Sequence, residues 1–282
     1  MILIADSGST KTTWAFICNG QLWKCYTSEG LNPLTSTTEC IQKTLSEVNV
    51  ATDGRSVNNI FFYGAGCGTT ENQQLVHSQL QSVFPVAKIQ VESDLLGACR
   101  ALGGDKEGLV GILGTGSNAC RYDGRKIINK IPSLGYILGD EGSGNHIGRI
   151  LLKDYFSRKM PVELQSDFRQ HDDLELSTVL EKMYHKANPN RYLAQFAKFA
   201  LLNRQHEYIQ KVLHQAFTDF LTIQVLPLGC GTLHLVGSIA HTFKNELRES
   251  TLGTHIQIGN IIKEPIEGLI LYHSSLPTNS GT

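Results

Sequence analysis

The stretch 6-DSGSTKTT-13 decides the fold, because two unrelated folds use similar residues to hold phosphate. A P-loop needs the pattern GxxxxGK[ST] between a strand and a helix, and the two glycine positions of that pattern hold Ala5 and Thr10 here. The apolar residues that follow surround Asn19-Gly20, which is typical of a tight β-hairpin turn rather than a helix. The stretch is therefore predicted to be a hairpin loop whose amides and hydroxyls can hold phosphate.

The same order of features returns in the middle of the chain, in 111-GILGTGSNACRYDG-124. An apolar run again meets a loop of glycine and hydroxyl residues, and a second apolar run ends at an Asp-Gly turn. The repeat indicates an internal duplication in which each half begins with the same hairpin. We therefore place the domain boundary near Gly103–Gly108, just before the second copy.

The rest of the chain fits a pair of α/β domains. Strand and helix patterns alternate between the two copies, which predicts a parallel sheet with crossover helices. The first domain is predicted over 1–105 and the second over 106–264, with a helical insertion at about 165–226. A last helix over 265–282, with a proline at its start, is expected to pack back on the first domain.

The composition describes an ordinary globular protein and excludes several classes of function. The 282 residues carry a net charge of −1, so no electrostatic attraction to nucleic acid or to an anionic membrane is expected. No apolar run approaches the roughly 20 residues of a membrane-spanning helix. The first residues lack the pattern of a signal peptide, so the expected location is the cytoplasm.

Cysteines and histidines follow no pattern that indicates chemistry. The seven cysteines form no CxxC pair and the ten histidines no metal-binding motif, so the thiols are predicted to be reduced and structural. An apolar stripe at helical spacing, formed by Phe196, Phe199 and Leu202, is predicted to belong to the core.

Acidic residues at the predicted ends of strands are candidates for chemistry, each with a structural alternative. Asp6 ends the first strand, where a carboxylate can hold a water of hydrated Mg²⁺, and Lys11 can neutralise phosphate. Asp94 lies at the entry to a helix and is either a general base or the N-cap of that helix. Asp140 and Glu141 lie among glycines, which indicates contacts with sugar hydroxyls or a metal, or an acidic turn before the next helix.

Three other positions are ordinary turns unless the fold gives them a further role. Asn32 precedes a proline, Gly66 lies in a glycine loop after a predicted strand, and Gly237-Ser238 joins a strand to a helix. Because ligands bind at the carboxyl ends of strands in open α/β sheets, we expect such loops to line a site.

Five motifs in order carry a family resemblance. They are DSGSTKTTW from Asp6, ESDLLGACRAL from Glu92, GILGTGSNA from Gly111, LGDEGSG from Leu138 and VGSIA from Val236. Together they resemble the actin, sugar-kinase and heat-shock ATPase superfamily. Within it, the chain is similar to the BadF/BadG/BcrA/BcrD-type ATPase family and to its N-acetylglucosamine kinase branch. The resemblance implies two ribonuclease H-like domains with the two hairpin loops facing each other across an interdomain cleft.

The resemblance also implies an activity and a set of site residues. The expected reaction is ATP-dependent phosphorylation of the 6-hydroxyl of N-acetylglucosamine or glucosamine, with Mg²⁺ at Asp6 and with Asp94 as the general base. ATP is expected to bind at Gly8, Ser9, Thr10, Lys11, Thr12, Gly114, Thr115, Gly116, Ser117, Gly237 and Ser238. The sugar is expected to bind at Asn32, Gly66, Asp94, Thr115, Gly135 and Asp140. A homodimer would also fit the family.

Two other functions stay open at this point. One is an ATPase that activates a reductase or dehydratase through an iron–sulfur cluster held by Cys thiolates. The scattered cysteines disfavour it. The other is a nucleotide- or sugar-sensing protein without catalysis, which the presence of both Asp6 and Asp94 disfavours.

Overall fold

The computed structural model describes residues 1–275. The chain forms two compact units, Met1–Lys106 together with the chain from Glu264 onward, and Glu107–Lys263. The end of the predicted last helix, 276–282, lies outside the described residues. No helix among residues 1–275 is both long and apolar enough to cross a membrane.

The first unit is built on a sheet of five strands. Its elements up to residue 106 are β1 (Ile2–Ser7), β2 (Lys11–Cys18), β3 (Gln21–Glu29), α1 (Thr38–Val50), β4 (Asn59–Gly64), α2 (Thr70–Val83), β5 (Lys88–Ser93) and α3 (Asp94–Gly103). The strand order is β3-β2-β1-β4-β5, in which β2 is antiparallel to β1 and the strands β1, β4 and β5 are parallel. The segments that follow β1, β4 and β5 therefore meet at one edge of the sheet.

The second unit repeats this arrangement and adds helices. Its strands are β6 (Glu107–Leu113), β7 (Ser117–Asp123), β8 (Ile127–Lys130), β9 (Gly231–Val236) and β10 (Ile256–Ile262). Its helices are α4 (Gly135–Leu138), α5 (Gly144–Phe156), α6 (Val162–Arg169), α7 (Leu176–Tyr184), α8 (Pro189–Ala194), α9 (Ala197–Leu202), α10 (Glu207–Phe220), α11 (Ser238–Thr242) and α12 (Lys244–Ser250). The sheet order β8-β7-β6-β9-β10 matches that of the first unit, with an antiparallel hairpin on one side of the first strand and parallel strands on the other. The predicted α/β fold with a hairpin at the start of each half is confirmed.

The hairpin turns follow from the local sequence. Asn19 and Gly20 have φ of 51° and 76°, the left-handed values that a two-residue turn between β2 and β3 requires. In the second unit the Asp123 side chain accepts hydrogen bonds from the backbone amides of Arg125 and Lys126, both at 2.8 Å. The Asp-Gly turn there is therefore held by a side chain.

The core of the first unit lies between its sheet and the helices α1 and α2. Trp14 and Phe62 are fully buried and their ring centroids lie 5.9 Å apart. Helix α1 starts where the Thr37 side chain accepts a hydrogen bond from the Cys40 amide, and Thr69 caps α2 in the same way. These caps fix the helices that cover the apolar face of the sheet.

The core of the second unit is rich in phenylalanine. Phe168 lies at the centre of this cluster, with its ring centroid 5.2 Å from that of Phe196 and 4.9 Å from that of Phe199. Both partners are fully buried, as the stripe in the sequence predicts. The third member of that stripe was predicted wrongly, because Leu202 ends α9 with 65% of its surface exposed.

The chain returns to the first unit through α13 (Ile266–Ser275), which packs on α3. A Cβ added at Gly268 would lie 2.3 Å from the carbonyl oxygen of Ala101, so the two helix backbones approach at a distance that only glycine allows. Farther along α13, the His273 Nε2 atom lies 2.8 Å from the Tyr63 hydroxyl, which accepts a 2.7 Å hydrogen bond from Arg100. The hydroxyl therefore donates to a neutral imidazole.

The substitution Gly268→Ala should destabilise the first unit. The new methyl group would meet backbone that cannot rotate away, so we expect the free energy of unfolding to fall by about 1–3 kcal/mol. Denaturant titration measures this change. The control is Gly68→Ala, where no atom lies within 4 Å of the added Cβ. Equal stability of the two variants would contradict the close packing of α13 on α3.

The pH dependence of the free energy of unfolding should show the contribution of the half-buried His273. Burial, and then the charge of Arg100, lower its pKa from the ordinary 6.5 to about 4. Between these values the unfolded imidazole binds a proton and the folded one does not, so stability falls as the pH falls from 6.5 towards 4. The variant His273→Gln keeps an acceptor for Tyr63 without titrating. The slope of its free energy of unfolding against pH should be smaller than that of the wild type, by at most about 1.4 kcal/mol per pH unit.

Chemical denaturation at several pH values compares the slopes of wild type and variant. His77→Gln, on the exposed side of α2, is the matched substitution. A His273→Gln slope as steep as that of the wild type would contradict the proposed burial of a neutral imidazole.

Candidate functional site

The first hairpin loop, residues 8–10, is closed and supported from both sides. The Gly8 amide donates to the Lys11 carbonyl oxygen at 2.9 Å, which closes the loop. Beneath it, the hydroxyls of Ser7 and Thr12 are paired at 2.7 Å and both residues are fully buried. The observed contacts of Thr12 thus stabilise the loop from its buried side. The role of Thr12 as a nucleotide ligand stays a prediction.

Gly30, which was not among the predicted site residues, packs closely against this loop. A Cβ at Gly30 would lie 2.3 Å from the Gly8 carbonyl oxygen, and the Gly30 amide donates to the Thr10 carbonyl oxygen at 3.2 Å. The next amide, of Leu31, donates to the Ser7 hydroxyl at 3.0 Å. The only signal in the sequence was a glycine directly before the Leu-Asn-Pro turn.

Three acidic groups and one lysine gather at the edge of the sheet beside the first hairpin loop. Burial, and then the charges of Asp94 and Glu264, raise the pKa of Asp6 from 3.8 to about 7, while Lys11 opposes this shift. The Lys11 Nζ atom lies 2.6 Å from a carboxylate oxygen of Glu264. Asp6, Lys11 and Asp94 were predicted as site residues; Glu264 was missed, because it is distant in sequence and belongs to no motif.

Asp94 is the first residue of α3, but it does not cap the helix. The cap is Ser93, whose hydroxyl accepts a 3.3 Å hydrogen bond from the Leu96 amide. One carboxylate oxygen of Asp94 accepts from the amide of Leu95 at 2.8 Å. The interpretation of Asp94 as an N-cap is therefore wrong, and its position as first helical residue is compatible with a role at the sheet edge.

Asn32 and Gly66 lie against each other next to the first hairpin loop. The Asn32 side chain accepts from the Leu34 amide at 2.9 Å and donates to the Ser9 hydroxyl at 3.4 Å. Gly66 has φ of 81°, and a Cβ there would lie 2.1 Å from the Asn32 amide oxygen. Asn32 is thus both the predicted turn residue and a direct contact of the loop.

In the second unit, the second hairpin loop, residues 114–116, is held by the loop that carries Asp140. The Gly114 amide donates to the Gly116 carbonyl oxygen at 3.0 Å. Asp140 accepts from the Ser117 amide at 3.2 Å and from the Asn145 side chain at 2.8 Å. A Cβ at Gly116 would lie 2.9 Å from the Asp140 carboxylate. Asp140 therefore lies directly against the second hairpin loop.

The surroundings of Asp140 partly offset the cost of its burial. Burial raises the pKa of Asp140, and the hydrogen bonds from Asn145 and Ser117 oppose the shift. The same Asn145 side chain donates to the Thr115 carbonyl oxygen at 2.7 Å, and the Gly144 amide donates to the Gly114 carbonyl oxygen at 2.8 Å. The start of α5 and the second hairpin loop thus form one hydrogen-bonded body.

The remaining predicted positions of the second unit flank this body. Gly237 has φ of 126°, and a Cβ there would lie 2.2 Å from the Leu113 carbonyl oxygen, so the backbone touches the end of β6. Ser238 follows it and is exposed at the start of α11. Gly135 has φ of 68° and starts α4, whose carbonyl oxygens accept hydrogen bonds from Arg149, another residue that the sequence analysis missed.

The comparison with family models decides the family. The model of the BadF/BadG/BcrA/BcrD ATPase family matches residues 5–270. The chain belongs to the BadF/BadG/BcrA/BcrD ATPase family. The resemblance that the five motifs carry is confirmed. The comparison with curated proteins gave no match.

Solved structures similar to this family member agree on the fold. A candidate N-acetylglucosamine kinase from Porphyromonas gingivalis has 38% sequence identity and a TM-score of 0.92, over 97% of this chain and 99% of that one. A candidate N-acetylglucosamine kinase from Chromobacterium violaceum has 16% identity and a TM-score of 0.72, over 96% and 98% of the two chains. A ROK family glucokinase from Streptomyces griseus, in complex with glucose and AMPPNP, has 12% identity and a TM-score of 0.58, over 96% and 97%. The last two structures, at 16% and 12% identity, show the shared fold alone.

The residues of this ATPase family member fit a hydrated divalent cation better than a protein-enclosed one. Within the described part of the chain, no three His, Cys, Asp or Glu side chains form a group that could enclose a metal. Mg²⁺ is usually held by one or two carboxylates and keeps several waters. Burial is the main cause of the raised pKa of Asp6, and the negative charges of Asp94 and Glu264 that add to it would favour such a cation.

The ion pair of Lys11 and Glu264 generates a prediction with a definite sign. Glu264→Gln removes a negative charge from the loop and releases Lys11, so ADP should bind about two- to tenfold more tightly without Mg²⁺. Isothermal titration calorimetry at low salt measures the dissociation constant. Glu267→Gln, exposed on α13, removes the same charge and is the control. Weaker ADP binding by Glu264→Gln would show instead that Glu264 holds Lys11 in its binding position.

Proposed function

We propose that the protein is an ATP-dependent hexosamine kinase that phosphorylates the 6-hydroxyl of N-acetylglucosamine or glucosamine. The observation that carries the proposal is the register of the first sheet, in which Ser7, Gly64 and Ser93 are aligned across β1, β4 and β5. Asp6 and Asp94 therefore lie at the same end of the sheet, beside the first hairpin loop, and the charge of Asp94 contributes to the raised pKa of Asp6. One carboxylate is then available for the nucleotide's cation and a second one for the proton of the acceptor. The similarity to the candidate N-acetylglucosamine kinase from Porphyromonas gingivalis over nearly the whole chain supports the choice of substrate.

Asp94 is proposed as the general base. Its carboxylate takes the proton of the sugar's 6-hydroxyl while that oxygen forms a bond to the γ-phosphorus of ATP. The bond between the γ-phosphorus and the oxygen bridging to the β-phosphate breaks, and ADP leaves with that electron pair. A base of this kind must lie within hydrogen-bonding reach of the hydroxyl, which the position of Asp94 at the edge of the sheet allows.

Asp6 is proposed to hold Mg²⁺ through a water molecule. Such an ion, when bound with ATP, would supply neutralisation of phosphate charge. The part of Asp6 would be to keep a hydrated ion beside the first hairpin loop, where the Lys11 ammonium would add positive charge for the phosphates. Glu264 forms an ion pair with Lys11 and so reduces the net positive charge beside the first hairpin loop.

The two hairpin loops are proposed to hold one nucleotide. Short loops of glycine and hydroxyl residues present backbone amides to phosphate, and such groups supply most of the catalysis of phosphoryl transfer by positioning it. The phosphate ligands proposed in the first unit are Gly8, Ser9, Thr10, Lys11 and Thr12. Those in the second unit are Gly114, Thr115, Gly116 and Ser117, with Gly237 and Ser238 for the adenosine.

The sugar is proposed to bind at the residues next to these loops. Asn32 and Gly66 support it in the first unit, since they contact each other and Asn32 reaches Ser9. Thr115, Gly135 and Asp140 are proposed in the second unit. The carboxylate of Asp140 is already hydrogen-bonded to Ser117 and Asn145, so a sugar hydroxyl would use the oxygen lone pairs that these bonds leave.

The variant Asp94→Asn tests the proposal. The amide cannot take a proton, so kcat should fall by about 10²- to 10⁴-fold while the KM for ATP stays near its wild-type value. The assay follows ADP release with ATP, Mg²⁺ and a panel of N-acetylglucosamine, glucosamine, N-acetylmuramate and glucose. Asp105→Asn, an exposed aspartate in the same unit, is the matched control.

Each outcome of this assay has a separate meaning. No sugar-dependent turnover by the wild type would end the kinase proposal and leave the sensing function. Iron in anaerobically purified protein would favour the activator function. Full activity of Asp94→Asn would remove only the assignment of the general base.

A further inference from the structure

A polar side chain that the mechanism does not use is buried against the second hairpin loop. After α10 the chain forms one π-helical turn, Leu221–Val225, in which the Leu226 amide donates to the Leu221 carbonyl oxygen. Proline follows at position 227, where an α-helix could not continue. Gln224 lies in this turn with 6% of its surface exposed. Single π-helical turns are rare and occur often at functional positions.

The contacts of Gln224 determine which of its atoms faces which partner. Its side-chain nitrogen lies 2.6 Å from a carboxylate oxygen of Glu141 and 2.9 Å from the hydroxyl oxygen of Ser117. A carboxylate has no hydrogen to donate, so the amide must turn its NH₂ group towards Glu141. The second hydrogen of that group then points at Ser117. The hydroxyl oxygen of Ser117 is therefore an acceptor in this contact.

The hydroxyl proton of Ser117 is directed away from Gln224 as a result. A serine hydroxyl has one hydrogen, and an oxygen that accepts from an amide must place that hydrogen elsewhere. Ser117 is the first residue of β7 and directly follows the second hairpin loop. Its backbone amide donates to Asp140 at 3.2 Å. The adjacent acids Asp140 and Glu141 thus orient both hydrogen-bond donors of Ser117, Asp140 the backbone amide directly and Glu141 the hydroxyl through Gln224.

We propose that Glu141 and Gln224 are positioning residues that keep the Ser117 hydroxyl a hydrogen-bond donor for a nucleotide phosphate at the second hairpin loop. This inference rests on the proposed function for the presence of that phosphate. It assigns Glu141 to neither the metal nor the sugar, which were two of the roles that its sequence context left open. A donor hydroxyl attracts a phosphate oxygen, whereas a hydroxyl turned to donate inwards would present its lone pairs to it.

A swap of the two residues separates the direction of the hydrogen bond from packing. In the double variant Glu141→Gln/Gln224→Glu, the amide at position 141 donates to the carboxylate at position 224, so the contact between them is restored. The carboxylate at position 224 can only accept, so the hydroxyl of Ser117 must now donate to it. Unfolding temperature should therefore recover relative to Gln224→Glu alone, where two carboxylates meet.

Nucleotide affinity should not recover with it. We expect the dissociation constant for ADP to be raised about tenfold in Ser117→Ala, in Gln224→Glu and in the double variant. Isothermal titration with ADP measures this without any sugar turnover. Gln210→Glu, on the exposed side of α10, controls for the added charge.

The possible results differ in what they overturn. Recovery of both stability and ADP affinity in the double variant would overturn the inference, since packing alone would then explain the contacts. Unchanged ADP affinity in Ser117→Ala would also overturn it, even if the double variant failed to fold. Absence of sugar phosphorylation by a wild type that binds ADP, with the expected pattern among the variants, would refute the proposed kinase and leave the inference standing.

Discussion

Both hairpin loops depend on the close approach of a second backbone segment. A loop of three residues between antiparallel strands cannot satisfy all its own amide and carbonyl groups, so a neighbour must supply partners. Gly30 does this for the first loop through its amide, and the start of α5 does it for the second, where the Gly144 amide donates to the Gly114 carbonyl oxygen. A Cβ at Gly30 would overlap the carbonyl oxygen of Gly8, so the approach at the first loop requires glycine.

The buried acids of the two units share a raised pKa but differ in their polar partners. Burial, and then the charges of Asp94 and Glu264, raise the pKa of Asp6 to about 7, while Lys11 opposes the shift. Burial also raises the pKa of Asp140, but there the opposing partners are hydrogen-bond donors from Asn145 and Ser117. The acids of the first unit therefore lie among like charges that a cation would neutralise, while Asp140 is held in place by amide donors.

The fold could be predicted from the sequence because its signals are local. The turn at Asn19-Gly20 and the repeated glycine loop each lie within a few residues, and their conformations follow from φ preferences and apolar runs. The residues that support the site could not be predicted. Glu264 and Gln224 contact partners that are far away in the sequence, and neither residue belongs to a motif. Leu202 shows the limit of periodicity, since the helix that carries it ends there and turns its last residue outwards.

The two hairpins have similar loops, but different side chains lie beneath them. Under the first loop, the paired hydroxyls of Ser7 and Thr12 are neutral and enclosed, so they can hold the strands together without aiming a proton outwards. Under the second, a carboxylate and an amide direct a single hydroxyl. The hydroxyls of Ser7 and Thr12 donate to the backbone carbonyl oxygens of Leu31 and Glu29, so their protons are used inside the unit. At the second loop, Gln224 donates to Ser117 and takes no proton from it, so the Ser117 hydroxyl keeps its own proton for another acceptor. The second support can therefore present a donor hydroxyl where the first does not.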